Sequence, residues 1–205
     1  MDAAAWLVFR PKVIGRDRIP GKGAAILAAN HKHAVDPVLV LYSTPRIVRF
    51  LAKKEIFETP FRWLFRIMRC IKVDRDVHDG AAMREAISRL NDGELIGIFP
   101  EGTRNRTRDQ ILQPFHFGTV AMARKTGAPI VPAVITGDYN PFKRNLSITF
   151  GEPFFVPEGK NLVEANRELM DRMEAIWRES LARTGRTEKE ELKSRKLKST
   201  GGNRS

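Results

Sequence analysis

One short stretch of the chain carries the residue types of a general base. Residues 30–37 read "NHKHAVDP", with His31 five positions before Asp36. An imidazole can take a proton from a hydroxyl near neutral pH, and a carboxylate on its other ring nitrogen fixes the tautomer and stabilises the imidazolium. The two side chains can meet if the chain turns over residues 32–35 and a helix starts at Asp36-Pro37, a strong helix-start signal. The stretch therefore fits a catalytic His31–Asp36 pair.

Two other interpretations of this stretch compete with the catalytic one. A His-x-His pair on an extended segment points both rings to one face, as in dinuclear zinc sites. Only His78 and His116 remain as further histidines, and neither sits in a ligand-like cluster, so no metal is predicted. Alternatively, Asp36 only caps a helix and His31 is a surface residue. The preceding apolar run, residues 24–29, favours a functional pair because open α/β sheets bind ligands at the carboxyl ends of their strands.

A second stretch combines one acid with several arginines. Residues 95–108 read "LIGIFPEGTRNRTR", in which Pro100 ends an apolar run and Gly102 permits a tight turn. Guanidinium groups pair bidentately with phosphate, so this loop is a candidate phosphate clamp. Glu101 can accept hydrogen bonds from substrate hydroxyls or hold Arg104 in place. The alternative is a solvated charged loop. The alternating arginines are Arg104, Arg106 and Arg108.

The elements that must position these residues follow an alternating pattern. Short apolar runs alternate with amphipathic stretches, which predicts a single α/β domain with a mostly parallel central sheet flanked by helices. Predicted strands are residues 24–29, 48–52, 70–73, 95–99, 130–135 and 146–150. Predicted helices are residues 37–41, 60–68, 80–90, 118–126 and 162–181. The domain is expected to cover residues 1–182, and residues 183–205 are predicted to be a basic, disordered tail because they contain almost no apolar side chains.

Charged residues follow several of the predicted strands. Lys53 comes directly after residues 48–52, and Arg75 follows residues 70–73. In a parallel sheet these strand ends open on the same edge as His31 and Arg104. The sequence therefore predicts an anion-binding mouth beside the histidine–carboxylate pair.

The bulk composition points to an anionic partner. The 205 residues carry a net charge of +12, and 42% of them are apolar, as in globular proteins. A nucleic-acid-binding module is the main alternative of another class. However, the aromatic residues follow apolar patterns and do not interleave with basic residues, and no helix-turn-helix or zinc-finger spacing occurs. No nucleic acid is therefore expected. Cys70 is the only cysteine, which excludes an internal disulfide.

Two segments have the character of membrane contacts. Residues 60–69, "PFRWLFRIMR", place a basic stripe beside an aromatic-apolar stripe on a helix, which suits an anionic lipid surface. An ordinary amphipathic helix packing on the sheet has the same pattern. An apolar N-terminal segment favours a peripheral protein on the cytoplasmic face of the membrane. The expected membrane contacts are Trp6, Phe9, Arg62, Arg66 and Arg69.

Several blocks occur in the order of a known family. They read "NHKHAVD", "AKKEIF", "IKVDR", "FPEGTRNR" and "GAPIVPAVITG", between about residues 24 and 137. On these blocks the chain resembles the lysophosphatidate acyltransferase family and the wider glycerolipid acyltransferase group. The resemblance implies a glycerol-3-phosphate acyltransferase-like fold and a catalytic His31 held by Asp36. It also implies that the glycerol phosphate is bound by Glu101, Gly102, Thr103 and Arg104, assisted by Arg75 and Lys53.

The resemblance further implies a reaction in phospholipid biosynthesis. An acyl chain passes from an acyl thioester, acyl-CoA or acyl carrier protein, to a lysophospholipid hydroxyl, most directly that of 1-acyl-glycerol 3-phosphate, giving phosphatidate. No cofactor is expected. Glycerol 3-phosphate or another lysolipid are alternative acceptors, and a hydrolase using the same pair on water is the closest competing enzyme.

Overall fold

The computed structural model describes residues 10–58, 69–73, 80–107 and 109–193, without the side chains of Lys53 and Ile56. Its strands are β1 (Lys12–Ile14), β2 (Ala25–Ala29), β3 (Val48–Lys53), β4 (Ile71–Val73), β5 (Leu95–Ile98), β6 (Ile130–Thr136) and β7 (Ser147–Phe150). Its α-helices are α1 (Asp36–Ser43), α2 (Ala81–Asn91), α3 (Gly118–Thr126), α4 (Leu162–Thr184) and α5 (Glu188–Lys193). Short 3₁₀ helices span Arg16–Arg18 and Lys54–Glu58.

The strands form one sheet in the order β1-β7-β6-β2-β5-β3-β4. Neighbours pair in parallel except β6 and β7, so β1 and β7 run opposite to the other five strands. The predicted fold class, a mostly parallel sheet flanked by helices, is confirmed. The carboxyl ends of β2, β3, β4, β5 and β6 share one edge of the sheet, which we call the active-site edge.

Helices on both faces of the sheet explain why its central strands are apolar throughout. All five residues of β2 and all seven of β6 are buried, as expected for parallel strands covered on both sides. One core cluster packs α2, α3 and α4 on the sheet and includes the fully buried Trp177. The other contains Leu39 and Val40 of α1 together with Phe50. These two layers hold the strand ends that carry the site.

Pro132 lies in β6, in the interior of the sheet and not at its edge. Its carbonyl accepts a hydrogen bond from Gly151 N at 2.7 Å, so its backbone faces the point where β7 ends at Phe150. Because Ile130 pairs with Phe154, the partner chain bulges beside the proline. A missing N–H is tolerated at such a bulge.

The C-terminal boundary differs from the prediction. Regular structure extends beyond residue 182, since α4 ends at Thr184 and is followed by α5. Glu191 and Leu192 of α5 are buried. The disordered-tail prediction is therefore wrong for residues 183–193. Composition suggested disorder because the segment has few apolar residues, whereas buried ion pairs hold α5.

Several predicted features fall outside the described residues. They are the helix over residues 60–68, the distal tail from residue 194, and Trp6, Phe9, Arg62, Arg66, Arg75 and Arg108. Arg69 is described, and it is an exposed residue with φ +49° just before β4. Within the described ranges, no helix has both the length and the apolar character needed to cross a bilayer.

Candidate active site

The site begins at the carboxyl end of β2, where the chain turns into α1. Asp36 N donates to His33 O at 3.1 Å, which closes the turn. Val35 occupies the N-cap position and Asp36 is the first helical residue, so the helix begins one position before the predicted start at residue 37. The Asp36 side chain therefore points back to the turn instead of capping the helix.

The Asp36 carboxylate is fully buried, with 0% of the residue exposed, and it holds His31 in place. Its Oδ2 lies 2.8 Å from His31 Nδ1 and accepts the backbone N–H groups of Lys32 and His33, both at 2.7 Å. Its Oδ1 accepts the hydroxyl of Tyr139. These four partners compensate the burial of the negative charge. The structure thus brings His31 and Asp36 together as the sequence predicted.

The His31 ring is fixed in one orientation. It stacks on Phe99, with ring centroids 4.2 Å apart and an interplanar angle of 22°. With Nδ1 donating to Asp36, Nε2 carries the lone pair and can accept a proton. The side chain is mostly buried but lines a cavity. This arrangement allows His31 to act as a general base with Asp36 as its orienting carboxylate.

Tyr139 is a site residue that the sequence analysis missed. Burial, together with the neighbouring Asp36 charge, raises the pKa of Tyr139 well above its usual value. The phenol therefore remains a hydrogen-bond donor to Asp36 at physiological pH. His33 stacks on its ring with centroids 4.3 Å apart. An isolated tyrosine after a strand gave no sequence signal for this role.

The second motif, residues 100–105, is bound directly to the histidine backbone. Glu101 Oε1 accepts His31 N at 2.8 Å and its Oε2 accepts Gln113 N at 2.9 Å. Asn105 N donates to His31 O at 2.6 Å. Both backbone polar groups of His31 are therefore held by this loop. Asn105, also missed, secures the loop further because its side chain binds the Thr107 backbone N–H at 3.1 Å.

The predicted role of Glu101 requires a correction. We expected its carboxylate to bind the glycerol phosphate, but the residue is only 3% exposed and both carboxylate oxygens accept backbone N–H groups. Glu101 is therefore a positioning residue for His31. The spacing of the motif could not reveal this, because it does not define on which side of a turn a side chain points.

The other residues of the motif reach the cavity. Gly102 adopts φ +65°, a conformation that favours glycine and turns the chain outward. Thr103 and Arg104 are exposed and line the cavity mouth together with His31. Lys53 ends β3 at the same edge, although its side chain is not described. Three of the predicted binding residues thus lie beside the histidine.

The cavity itself has a volume of about 420 Å³ and a mostly apolar wall. The apolar lining residues include Phe50, Leu51, Ala52, Ile98 and Phe99, with Cys70 at the same wall. Burial raises the pKa of the Cys70 thiol to about 11, so the thiol is protonated and a poor nucleophile at neutral pH. In the described part of the chain, no three His, Cys, Asp or Glu side chains are arranged to hold a metal ion.

A buried ion-pair network ties α5 to the turn that carries His31 and Asp36. Lys32 Nζ donates to Gly137 O at 2.6 Å and forms an ion pair with Glu191, and these side chains are 5% and 1% exposed. Glu191 Oε2 also accepts Gly137 N at 2.9 Å and lies 3.2 Å from Arg186. Arg186 in turn contacts Asp138 at 3.4 Å. The network was not predictable from the sequence, because the segment that forms α5 contains few apolar residues and has the composition of a disordered tail.

Comparisons with known proteins show which proteins this chain is similar to. The family model described as Acyltransferase matches residues 10–136. A "1-acyl-sn-glycerol-3-phosphate acyltransferase" of Borreliella burgdorferi is 35% identical over 155 residues, covering 74% of this chain and 61% of the relative. A protein of the same name from Bacillus subtilis is 29% identical over 164 residues, covering 76% and 79%.

A solved structure shares the fold. It is the 1-acyl-sn-glycerophosphate (LPA) acyltransferase PlsC from Thermotoga maritima, with a TM-score of 0.65 at 24% identity, covering 93% of this chain and 76% of that chain. The chain therefore spans about three fifths of the Borreliella relative and about three quarters of the Thermotoga structure.

Proposed function

Because this chain belongs to the acyltransferase family, we propose that it transfers an acyl chain from a thioester to the hydroxyl of 1-acyl-glycerol 3-phosphate, forming phosphatidate. The observation that carries the proposal is the His31–Asp36 contact of 2.8 Å at the mouth of an apolar cavity. The two relatives described above have names that state this activity.

The residues support a direct transfer without an acyl-enzyme. His31 Nε2 takes the proton of the acceptor hydroxyl as its oxygen attacks the thioester carbonyl carbon. Asp36 stabilises the imidazolium that results. The C–S bond then breaks, the carbonyl re-forms, and the imidazolium returns its proton to the departing thiolate. General-base assistance of this kind contributes about 10²–10⁴-fold to the rate.

Arg104 is the proposed binding group for the acceptor phosphate. Its exposed guanidinium stands at the cavity mouth with Thr103, next to His31. A guanidinium binds phosphate oxygens through two parallel hydrogen bonds. Lys53 and Arg75 remain proposed assistants, while Glu101 and Asn105 keep the base and this loop in fixed relation.

The apolar cavity wall is the proposed site for acyl chains. The side chains of Phe50, Leu51 and Ile98 are apolar, so an acyl chain that packs against them leaves none of their groups without a hydrogen-bond partner. The donor is proposed to be acyl-CoA or acyl carrier protein, both anionic and suited to a chain of net charge +12. We further propose that the protein works as a peripheral protein on the cytoplasmic face of the membrane, where its lipid acceptor resides.

The test is thiol release from palmitoyl-CoA with and without lysophosphatidate, with the lipid product identified. Release that depends on the acceptor and yields phosphatidate is expected. His31→Gln should lower kcat by at least about 10²-fold, whereas His116→Gln, which changes the other histidine of the cavity, should retain most activity. Acceptor-independent release of free fatty acid would identify a hydrolase instead and overturn the proposal.

A further inference from the structure

The loop between β6 and β7, residues 137–146, stands at the active-site edge. Since β7 runs antiparallel to β6, with Thr136 opposite Ser147, the loop leaves and re-enters the sheet at the edge that carries His31. The chain before β1 arrives at the same place, because Lys12 N donates to Leu146 O at 3.0 Å. The loop therefore flanks the cavity side of the molecule.

Hydrogen bonds within the loop give it a defined shape. At its base, Asp138 N donates to Asn145 Oδ1 at 2.9 Å, and Asn145 Nδ2 donates to Asp138 Oδ2 at 2.8 Å. At its tip, Phe142 N donates to Asn140 Oδ1 at 2.9 Å and Lys143 N donates to Asn140 O at 3.1 Å. The tip is thus a closed turn on a pinned base.

This turn presents an aromatic ring to solvent beside two cations. Phe142 is 93% exposed, more than any other large apolar residue among those described. Lys143 and Arg144 follow it and are exposed as well. Lys143 contacts the largely buried Asp138 at 3.3 Å, but its own side chain is 55% exposed, so the ammonium stays accessible to solvent. An aromatic ring and two cations on one ordered turn are the combination that suits the boundary of an anionic lipid surface.

We propose that this loop, residues 137–146, binds an anionic lipid surface, and we call it the docking loop. Phe142 enters the boundary between headgroups and acyl chains, and Lys143 and Arg144 contact lipid phosphates. The inference rests on the proposed function, because a lysophospholipid acceptor is delivered from such a surface. Docking through this loop turns the active-site edge, with Arg104 at the cavity mouth, toward the lipid. The positive residues at the tip and the overall charge of +12 match an anionic leaflet.

The test is flotation of the full-length protein with phosphatidylcholine vesicles that contain or lack phosphatidylglycerol. Phe142→Ser should lower the partition coefficient of the protein between vesicles and buffer about tenfold, because an aromatic ring that is partly buried in the lipid is lost. Phe155→Ser is the matched control. Phe155 is 65% exposed but follows β7 at the opposite edge, so its loss should change binding less than about twofold.

A second pair of variants tests the charges. Lys143→Ala/Arg144→Ala should lower binding to the anionic vesicles about tenfold or more, with little effect on neutral ones. Lys22→Ala/Lys125→Ala removes two exposed lysines at the opposite edge, which precede β2 and β6, and should have a smaller effect. Equal losses in Phe142→Ser and Phe155→Ser, or parent-like binding of Phe142→Ser, would overturn the proposal. So would absence of vesicle binding by the parent protein.

Activity assays separate this inference from the proposed function. With a short-chain, monomeric lysophosphatidate, Phe142→Ser should keep its thiol-release rate within about twofold of the parent, while the rate with vesicle-embedded acceptor falls about tenfold. A parent protein that binds vesicles through the loop but releases no thiol from either form would refute the enzymatic proposal alone. Equal rates of parent and variant on vesicles would refute the docking role alone.

Discussion

The ion pair between Lys32 and Glu191 makes a sharp prediction for Glu191→Ala. The substitution leaves the Lys32 ammonium, only 5% exposed, with the Gly137 carbonyl at 2.6 Å as its remaining described partner. It also removes an acceptor from Gly137 N and an anion from Arg186. Breaking a buried pair on one side costs about 3–5 kcal/mol. We expect the lower end, about 3 kcal/mol, because Lys32 keeps a carbonyl and Arg186 keeps Asp138.

The loss should appear in both stability and activity. For a chain of this size, 1 kcal/mol shifts Tm by about 2–4 °C, so Tm should fall by about 6–12 °C. Lys32 directly follows His31 and donates its N–H to Asp36. Relaxation of Lys32 should therefore misplace the base and lower kcat by about tenfold or more, with a smaller change in KM. Thermal unfolding by circular dichroism and thiol release at a temperature well below Tm measure the two effects separately.

Two companion variants control the experiment. Glu188→Ala removes an exposed carboxylate from the same helix and should change the unfolding free energy by less than about 0.5 kcal/mol. Glu191→Gln keeps a hydrogen-bonding side chain of similar size and should fall between the parent and Glu191→Ala. If Glu191→Ala and Glu188→Ala unfold at the same temperature, α5 does not stabilise the turn that carries His31 and Asp36, and the reasoning is refuted.

Three further substitutions or treatments test the site. Tyr139→Phe removes one of the four donors to Asp36 and should lower kcat with little change in KM. The same variant tests the pH dependence of stability. Because burial raises the Tyr139 pKa above its usual value of about 10, the folded parent keeps the phenol proton to higher pH than the unfolded chain does. The parent should therefore lose stability as pH rises above about 10, and Tyr139→Phe should lose less. If Tm falls with pH equally steeply in the parent and in Tyr139→Phe, this prediction is contradicted. Arg104→Ala should raise KM for the phosphorylated acceptor about tenfold or more, and Arg104→Lys should restore it only in part; an unchanged KM removes Arg104 from phosphate binding. Cys70, with its pKa raised to about 11, should react with iodoacetamide far more slowly in the native than in the unfolded protein, and equal rates would show that the thiol is accessible.

Sequence patterns located six of the seven described strands. The predicted boundaries of β2 to β7 all agree with the structure to within one residue, and for β2, β5 and β6 the runs are also continuously apolar. β1 was missed because it has only three residues, is partly exposed, and depends on pairing with β7 across the sequence. Such an edge strand forms because a neighbour is present and not because its own pattern demands it.

The same distinction applies to the site. The His31–Asp36 pair was predictable because its members are five residues apart and a helix start joins them. Tyr139 and Glu191 reach the turn from 103 and 159 residues away, and no local pattern encodes such distances. Glu101 lies in a recognisable motif, but its buried carboxylate serves the His31 backbone. Spacing identified the loop and could not define which of its side chains face the cavity.

The contact between residues 32 and 191 has a consequence for the order in which the protein matures. Translation at about 5–20 residues per second separates the synthesis of these two positions by roughly 8–30 s. During that interval the turn that carries His31 and Asp36 exists without the support of α5, and the Lys32 ammonium has to remain hydrated. The turn therefore reaches its final packing only after α5 has left the ribosome and displaced that water.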